Sequence, residues 1–127
     1  MRAAIICVGL LGLLLVGLGL WVSLTRGRTQ TLFGYAADPT DPLYKLVRAH
    51  GNAAEYAPML GLLIFVAGTR DPGAWLQATF FAAVVSRWLH AAGMVFCASL
   101  DRPHALRAAG AVGTYLTGLV LAIALLV

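Results

Sequence analysis

The sequence predicts an all-α integral membrane protein built as one four-helix bundle. Of its 127 residues, 61% are hydrophobic and only 11% are charged, whereas an ordinary soluble domain is roughly 45–50% apolar and about 25% charged. The apolar residues fall into four long runs, and each crossing of the hydrocarbon layer takes about 20 residues. A soluble chain of this length could not cover so much apolar surface with polar groups, so the excess must face lipid.

Charge and cysteine usage argue against two other classes of protein. The net charge is +4 and the pI is near 9.6, but the basic residues are spread thinly between apolar runs, so no nucleic-acid-binding face is expected. Cytoplasmic loops and anionic head groups explain them better. Cys7 and Cys97 lie in apolar stretches and are predicted to be small buried residues. The three histidines lie on different elements, and no carboxylate or thiol stands at ligand spacing from them. We therefore expect no metal site.

The first helix is predicted over about residues 3–25, between Arg2 and Arg26. A cleavable signal peptide has a shorter apolar region and a small-residue exit, and Trp21–Leu24 offers no such exit. We therefore expect a retained helix. Glycines let helices approach closely in lipid, so this helix is expected to pack against others; its glycines are Gly9, Gly12, Gly17 and Gly19.

The other three helices follow short polar connections. Asp41 suits an N-cap and Pro42 suits the first helical position, which predicts a second helix over about 42–68. A turn then leads into a third run over about 74–100, and a second break leads into a last run over 105–127.

Basic residues predict the orientation in the membrane. The first and third loops and their flanks hold six of them: Arg26, Arg28, Lys45, Arg48, Arg102 and Arg107. The opposite side has only Arg2 and Arg70. The positive-inside rule therefore places loops one and three in the cytoplasm and both termini outside.

A stripe of polar side chains follows the second helix. At about 100° per residue its members fall within an arc of about 100°; they are Arg48, Asn52, Glu55 and Tyr56. The third helix adds Arg87 and His90, which are neighbours at i,i+3 spacing. Ionisable groups within a membrane normally face the bundle interior or a polar cavity and find partners there.

Two interpretations of this polar stripe remain open. In the first, Glu55, Asn52 and Arg87 form an interhelical clamp that sets the register of the second and third helices. In the second, the stripe binds a small zwitterionic or anionic ligand, because a clamp alone does not need the remaining polar residues. Pro58, one turn beyond Glu55, predicts a bend that would widen a cavity beside the stripe.

The segment from Arg48 to Pro58, RAHGNAAEYAP, resembles the second-helix signature of the MAPEG superfamily, the membrane-associated proteins of eicosanoid and glutathione metabolism. The signature is an arginine followed by Asn, two residues, Glu, a residue that is often Tyr, one more residue, and Pro. The segment RWLHAAG at 87–93 resembles the third-helix segment of the family, and the RGR of 26–28 fits the end of its first helix. The resemblance covers essentially the whole chain, and the form of the second-helix motif is similar to the bacterial branch in particular.

The resemblance implies a homotrimer with glutathione bound between neighbouring subunits near the cytoplasmic face, in a bacterial inner membrane. It implies a glutathione-dependent transferase or peroxidase whose lipophilic, electrophilic substrate enters from the bilayer. Arginines suit the two carboxylates of the tripeptide, and a glutamate suits its ammonium group. The expected cofactor-binding residues are Arg28, Arg48, Asn52, Glu55, Tyr56, Arg87 and His90.

The chain departs from the catalytic members at two positions. In those members an arginine near the start of the fourth helix stabilises the glutathione thiolate. Here the corresponding segment is Asp101–Pro103, so Arg102 is the candidate catalytic residue. A tyrosine that the family often has one turn after His90 is Met94 in this chain. Since the family also includes a non-enzymatic member, a membrane scaffold or lipid-binding protein of the same fold is the alternative.

Overall fold

The computed structural model describes residues 1–127 and contains four helices and no strands. The all-α prediction is therefore confirmed. In chain order the helices are α1 (Arg2–Thr29), α2 (Pro42–Gly68), α3 (Ala74–Val95) and α4 (Ala105–Leu126).

Three of the four helices, α1, α3 and α4, are long and apolar enough to cross a membrane. The helix outside this group is α2, because its first half carries Lys45, Arg48 and Glu55. The most polar helix of the bundle is therefore also the one that holds the polar stripe.

The helices alternate in direction, so the loops lie at two ends of the bundle. The loop before α2 meets the loop before α4, where the Leu100 N–H donates to the Pro39 carbonyl at 3.0 Å and Lys45 Nζ donates to the Cys97 carbonyl at 3.0 Å. At the opposite end, Arg70 donates to the Leu125 carbonyl at 2.9 Å. We call the first of these the basic end, because it holds Arg26, Arg28, Lys45, Arg48, Arg102 and Arg107.

The start of α2 confirms the predicted cap. The Asp41 carboxylate accepts a hydrogen bond from the Tyr44 N–H at 2.7 Å, and Pro42 occupies the first helical turn. Just before it, the hydroxyl and the backbone N–H of Thr40 both donate to the Asp38 carboxylate. These two bonds favour the charged form and lower the pKa of Asp38.

The third helix ends at Val95, five residues earlier than the expected end near Leu100. Tertiary hydrogen bonds replace the helical ones in this segment. The Leu100 N–H goes to Pro39, while the Arg107 guanidinium donates to the Leu100 and Arg102 carbonyls, each at 2.9 Å. The residues between α3 and α4 thus form an ordered loop held by a side chain of α4.

Close helix approach at glycines occurs between α3 and α4, and also where Gly68 of α2 meets Ala4 of α1. A Cβ atom built on Gly110 would lie 2.6 Å from the Ser86 carbonyl oxygen, and one on Gly93 would lie 2.5 Å from the Arg107 nitrogen. Of Gly9, Gly12, Gly17 and Gly19 in α1, only Gly19 would bring a Cβ atom close to a neighbour, the His50 ring; a Cβ atom on any of the other three would meet nothing within 4 Å. The expected packing of α1 against other helices is confirmed, but it does not run through those three glycines. The buried residues of α1 are Ala4, Cys7, Leu11, Leu14 and Leu18.

We predict that Gly110→Ala destabilises the bundle, because the added methyl group would overlap backbone atoms of α3 that cannot move independently. Overpacking of this kind lowers the free energy of unfolding by about 1–3 kcal/mol. Thermal unfolding of the detergent-purified protein measures the effect. Gly17→Ala is the matched control, since its methyl group meets open space and alanine favours helix. Equal stability of the two variants would contradict the close α3–α4 contact.

Candidate functional site

One guanidinium group joins three helices at the centre of the bundle. Arg87 of α3 is only 1% exposed. Its Nη2 donates to Asn52 Oδ1 of α2 at 2.7 Å, and its Nη1 donates to Thr114 Oγ1 of α4 at 3.4 Å. Its central carbon also lies 5.2 Å from the centroid of the Tyr56 ring, within the range of a cation–π contact.

This cluster is held by hydrogen bonds and has no carboxylate. The Thr114 hydroxyl donates to the Gly110 carbonyl at 2.7 Å, so its oxygen accepts the bond from Arg87. The Arg87 Nε has no partner. Because a guanidinium stays charged in proteins, the chain buries a cation that is solvated by an amide, a hydroxyl and an aromatic face.

The predicted clamp of Glu55, Asn52 and Arg87 is wrong in one member. Glu55 is exposed and forms no ion pair or hydrogen bond within the chain. The buried face of α2 runs through Ala53 and Ala57, and Glu55 is two residues from each, which places it about 200° away around the helix. The side chains that complete the clamp are instead those of Tyr56 and Thr114.

A groove of about 620 Å³ lies between α2 and α4. Its walls come from both helices: Glu55, Tyr56, Met59, Leu60, Leu63, Thr114, Tyr115, Gly118 and Leu119. On each helix the polar lining residues come first in the chain: Glu55 and Tyr56 on α2, and Thr114 and Tyr115 on α4. The lining residues that follow are apolar side chains and one glycine. This arrangement suits an amphiphilic ligand, or a polar ligand and an apolar one side by side.

Two hydroxyl groups meet at the polar part of this groove. The Tyr56 and Tyr115 oxygens are 3.3 Å apart, and the two rings pack edge to face with centroids 5.8 Å apart. Sequence reasoning missed Tyr115 and Thr114. The available signal was a pair of adjacent hydroxyl residues near the middle of an otherwise apolar helix.

His90 is 9% exposed, and its Nδ1 lies 2.8 Å from the Arg107 carbonyl oxygen. A carbonyl oxygen only accepts, so Nδ1 carries the proton and donates across the α3–α4 contact. Of the residues expected to bind a cofactor, Arg87 and His90 are the two buried ones, and both connect helices of the chain.

The remaining predicted arginines lie at the basic end. Arg28, Arg48 and Arg102 are all exposed, and their guanidinium groups form no hydrogen bond within the chain. No side-chain hydrogen bond joins them to the Arg87 cluster. By contrast, both Nη atoms of Arg107 are occupied by backbone carbonyls, so Arg102 is the nearby arginine that remains free to meet an anion.

A second groove, of about 410 Å³, lies between α1 and α2 and is lined almost entirely by apolar side chains and glycines. Pro58 lines this groove together with Gly12 and Gly61. The predicted effect of Pro58 on a cavity beside the polar stripe is therefore misplaced, since the stripe residues Glu55 and Tyr56 line the other groove.

Comparison with known proteins adds one positive result. The sequence model of the MAPEG family matches residues 4–127 of the chain. No curated protein matches the chain.

We predict that Arg87→Met lowers the free energy of unfolding by about 1–3 kcal/mol. The substitution keeps most of the buried volume but removes the donor to Asn52 Oδ1 and Thr114 Oγ1, so the amide oxygen loses its partner and the hydroxyl keeps only its bond to the Gly110 carbonyl. Thermal unfolding in detergent measures the loss. Arg48→Met removes the same charge from an exposed position of α2 and should not destabilise. Wild-type stability of Arg87→Met would show that the cluster does not hold the bundle together.

Proposed function

The chain belongs to the MAPEG family of membrane four-helix bundles, as its second-helix motif indicates, and we propose that it is a glutathione-dependent transferase or peroxidase acting on a lipophilic electrophile. It is an integral membrane protein. The observation that carries the proposal is the Glu55 carboxylate, which lies unpaired at the α2–α4 groove. Ionisable groups in membrane helices normally have partners, so this carboxylate requires one from outside the chain.

The chemistry of the groove fits glutathione, a tripeptide with two carboxylates and one ammonium group. Glu55 is the acceptor for the ammonium, and Arg48, one turn before Asn52 on α2, offers a bidentate donor for a carboxylate. Asn52 adds an amide to this site, and Tyr56 adds a hydroxyl. Arg28, from the same end of the bundle, is a second donor for a carboxylate.

Bound glutathione would supply a thiol nucleophile. Arg102 is proposed to stabilise its deprotonated form, because a neighbouring cation lowers the pKa of a thiol. The apolar part of the groove, from Met59 to Leu63 and from Gly118 to Leu119, offers a surface for the lipophilic substrate. Arg87 and His90, assigned above to the connections between helices, are not proposed to touch either one.

We propose that the protein is a homotrimer in a bacterial inner membrane, with the basic end in the cytoplasm. The groove is open on one side of the subunit, so a neighbouring copy could close it and shield Glu55 from lipid. The six basic residues at one end, against Arg2 and Arg70 at the other, support the orientation. Glutathione would then reach the groove from the cytoplasm.

The second candidate is a scaffold or lipid-binding protein without catalytic activity. The apolar α1–α2 groove favours it, because such a surface suits an acyl chain. In this case Arg48, Glu55 and Tyr56 would contact neighbouring subunits, and no thiol would bind. Glutathione binding separates the two candidates.

We predict that Glu55→Gln weakens glutathione binding about tenfold or more, because it removes the charge that pairs with the ammonium group. Isothermal titration calorimetry of the detergent-purified protein measures the dissociation constant. The variant is diagnostic because Glu55 does not pair with Arg87, so its loss leaves no buried cation without a partner. Asp71→Asn removes the same charge at the opposite end and should leave binding unchanged. Failure of the wild-type protein to bind glutathione would favour the scaffold function.

We predict that Arg102→Ala lowers turnover of a hydrophobic aryl chloride by about tenfold or more, because the glutathione thiolate loses its stabilising cation. Glutathione affinity and thermal stability should change little, since the Arg102 side chain has no partner in the chain. Chloride release under saturating glutathione measures turnover. Arg2→Ala, at the other end, is the control. An unchanged turnover would remove Arg102 from the mechanism.

A further inference from the structure

We propose that Arg87 is a positioning residue that fixes the orientation of the Asn52 amide, so that the Asn52 NH2 group faces the ligand. The inference rests on the proposed function, in that the ligand is taken to be glutathione. It reassigns Arg87 from a residue that contacts the ligand to one that acts through Asn52.

Burial excludes direct contact between Arg87 and a ligand in this conformation. The side chain is 1% exposed, and its Nη atoms already bond to Asn52 and Thr114. Asn52, in contrast, is only half-buried. Asn52 therefore lies between the enclosed guanidinium and the accessible side of α2.

The chemistry of the two groups determines which way the amide points. A guanidinium has donors and no acceptor, and of the two terminal atoms of an asparagine only Oδ1 accepts. With Nη2 and Oδ1 2.7 Å apart, turning the amide over would set two donors against each other. Arg87 also lies 3.4 Å from the Asn52 carbonyl oxygen, so it holds both the side chain and the backbone of this residue.

The other end of the amide remains free. Asn52 Nδ2 donates to no group in the chain, yet it is absent from the buried polar atoms that lack a partner: Arg87 Nε, Ser99 Oγ and His104 Nδ1. Nδ2 is therefore accessible. Because no carboxylate neutralises Arg87, the cation polarises the amide and strengthens Nδ2 as a donor.

This orientation gives the site a direction. Asn52 offers only a donor and selects an acceptor, such as a carboxylate or peptide carbonyl of the tripeptide. Glu55, three residues further on the same helix, offers only an acceptor and selects the ammonium group. Side chains at this spacing are about 5–6 Å apart at Cβ, so the two can engage different groups of one small ligand.

The test replaces the Asn52 donor without disturbing its bond to Arg87. Asn52→Asp keeps the size of the side chain and gives Arg87 a carboxylate partner, but it presents an acceptor to the ligand. We expect thermal stability at least equal to that of the wild type and glutathione binding, measured by calorimetry, weakened about tenfold or more. Asn52→Asp that binds as tightly as the wild type would overturn the assigned orientation.

A double-mutant cycle tests whether Arg87 acts through Asn52. Arg87→Gln should weaken glutathione binding in the wild-type protein, but should have little further effect when Asn52→Ala is already present. If the two substitutions weaken binding independently, so that their fold-changes in dissociation constant multiply, the positioning role is overturned. A purely structural defect or a direct contact of Arg87 with the ligand would still weaken binding when Asn52 is absent. If Arg87→Gln does not fold, Asn52→Asp still decides the orientation.

The experiments give a different result if the proposed glutathione-dependent function is wrong. If the wild-type protein does not bind glutathione, that function fails, and the orientation is then judged from stability alone. Asn52→Asp less stable than the wild type would overturn it, because a carboxylate facing Arg87 must be at least as good a partner as the amide oxygen.

Discussion

The structure depends on the need to satisfy one buried cation in a lipid-embedded bundle. Arg87 cannot lose its charge and is almost completely shielded from solvent, so its hydrogen-bond acceptors must come from neighbouring helices. Asn52 from α2 and Thr114 from α4 each accept a bond from one of its Nη atoms, and the face of Tyr56 covers the guanidinium. Three helices therefore have a fixed register at this level, and the groove between α2 and α4 has a fixed shape.

Because neutral groups accept the hydrogen bonds of Arg87, Glu55 has no role in holding the helices of the chain together. If Glu55 had paired with Arg87, no acidic side chain near the groove would be free to bind an ammonium group. The cation faces inward and holds the helices together, whereas the carboxylate faces outward and forms no bond within the chain. Glu55 can therefore be substituted to test binding without disturbing the bundle.

A second constraint acts between α3 and α4, where Gly93 and Gly110 allow the backbones to approach. His90 donates to the Arg107 carbonyl, and the Arg107 side chain in turn holds the carbonyls of the preceding loop. This chain of contacts ends α3 early and sets the backbone around Arg102. The position of the candidate catalytic arginine is thus a consequence of helix packing some distance from it.

The sequence by itself determined the four helices, the Asp41 cap and the stripe that carries Asn52, Glu55 and Tyr56, because hydropathy and helical period act along one chain segment. It did not determine the partner of Arg87, the end of α3, or the inclusion of Tyr115. Helical period states which residues share a face, but not which face of another helix they meet. Only the tertiary structure decided that Glu55 lies outside the clamp and that Gly93 of α3 and Gly110 of α4 make close helix contacts, because both depend on the rotation of packed helices about their axes.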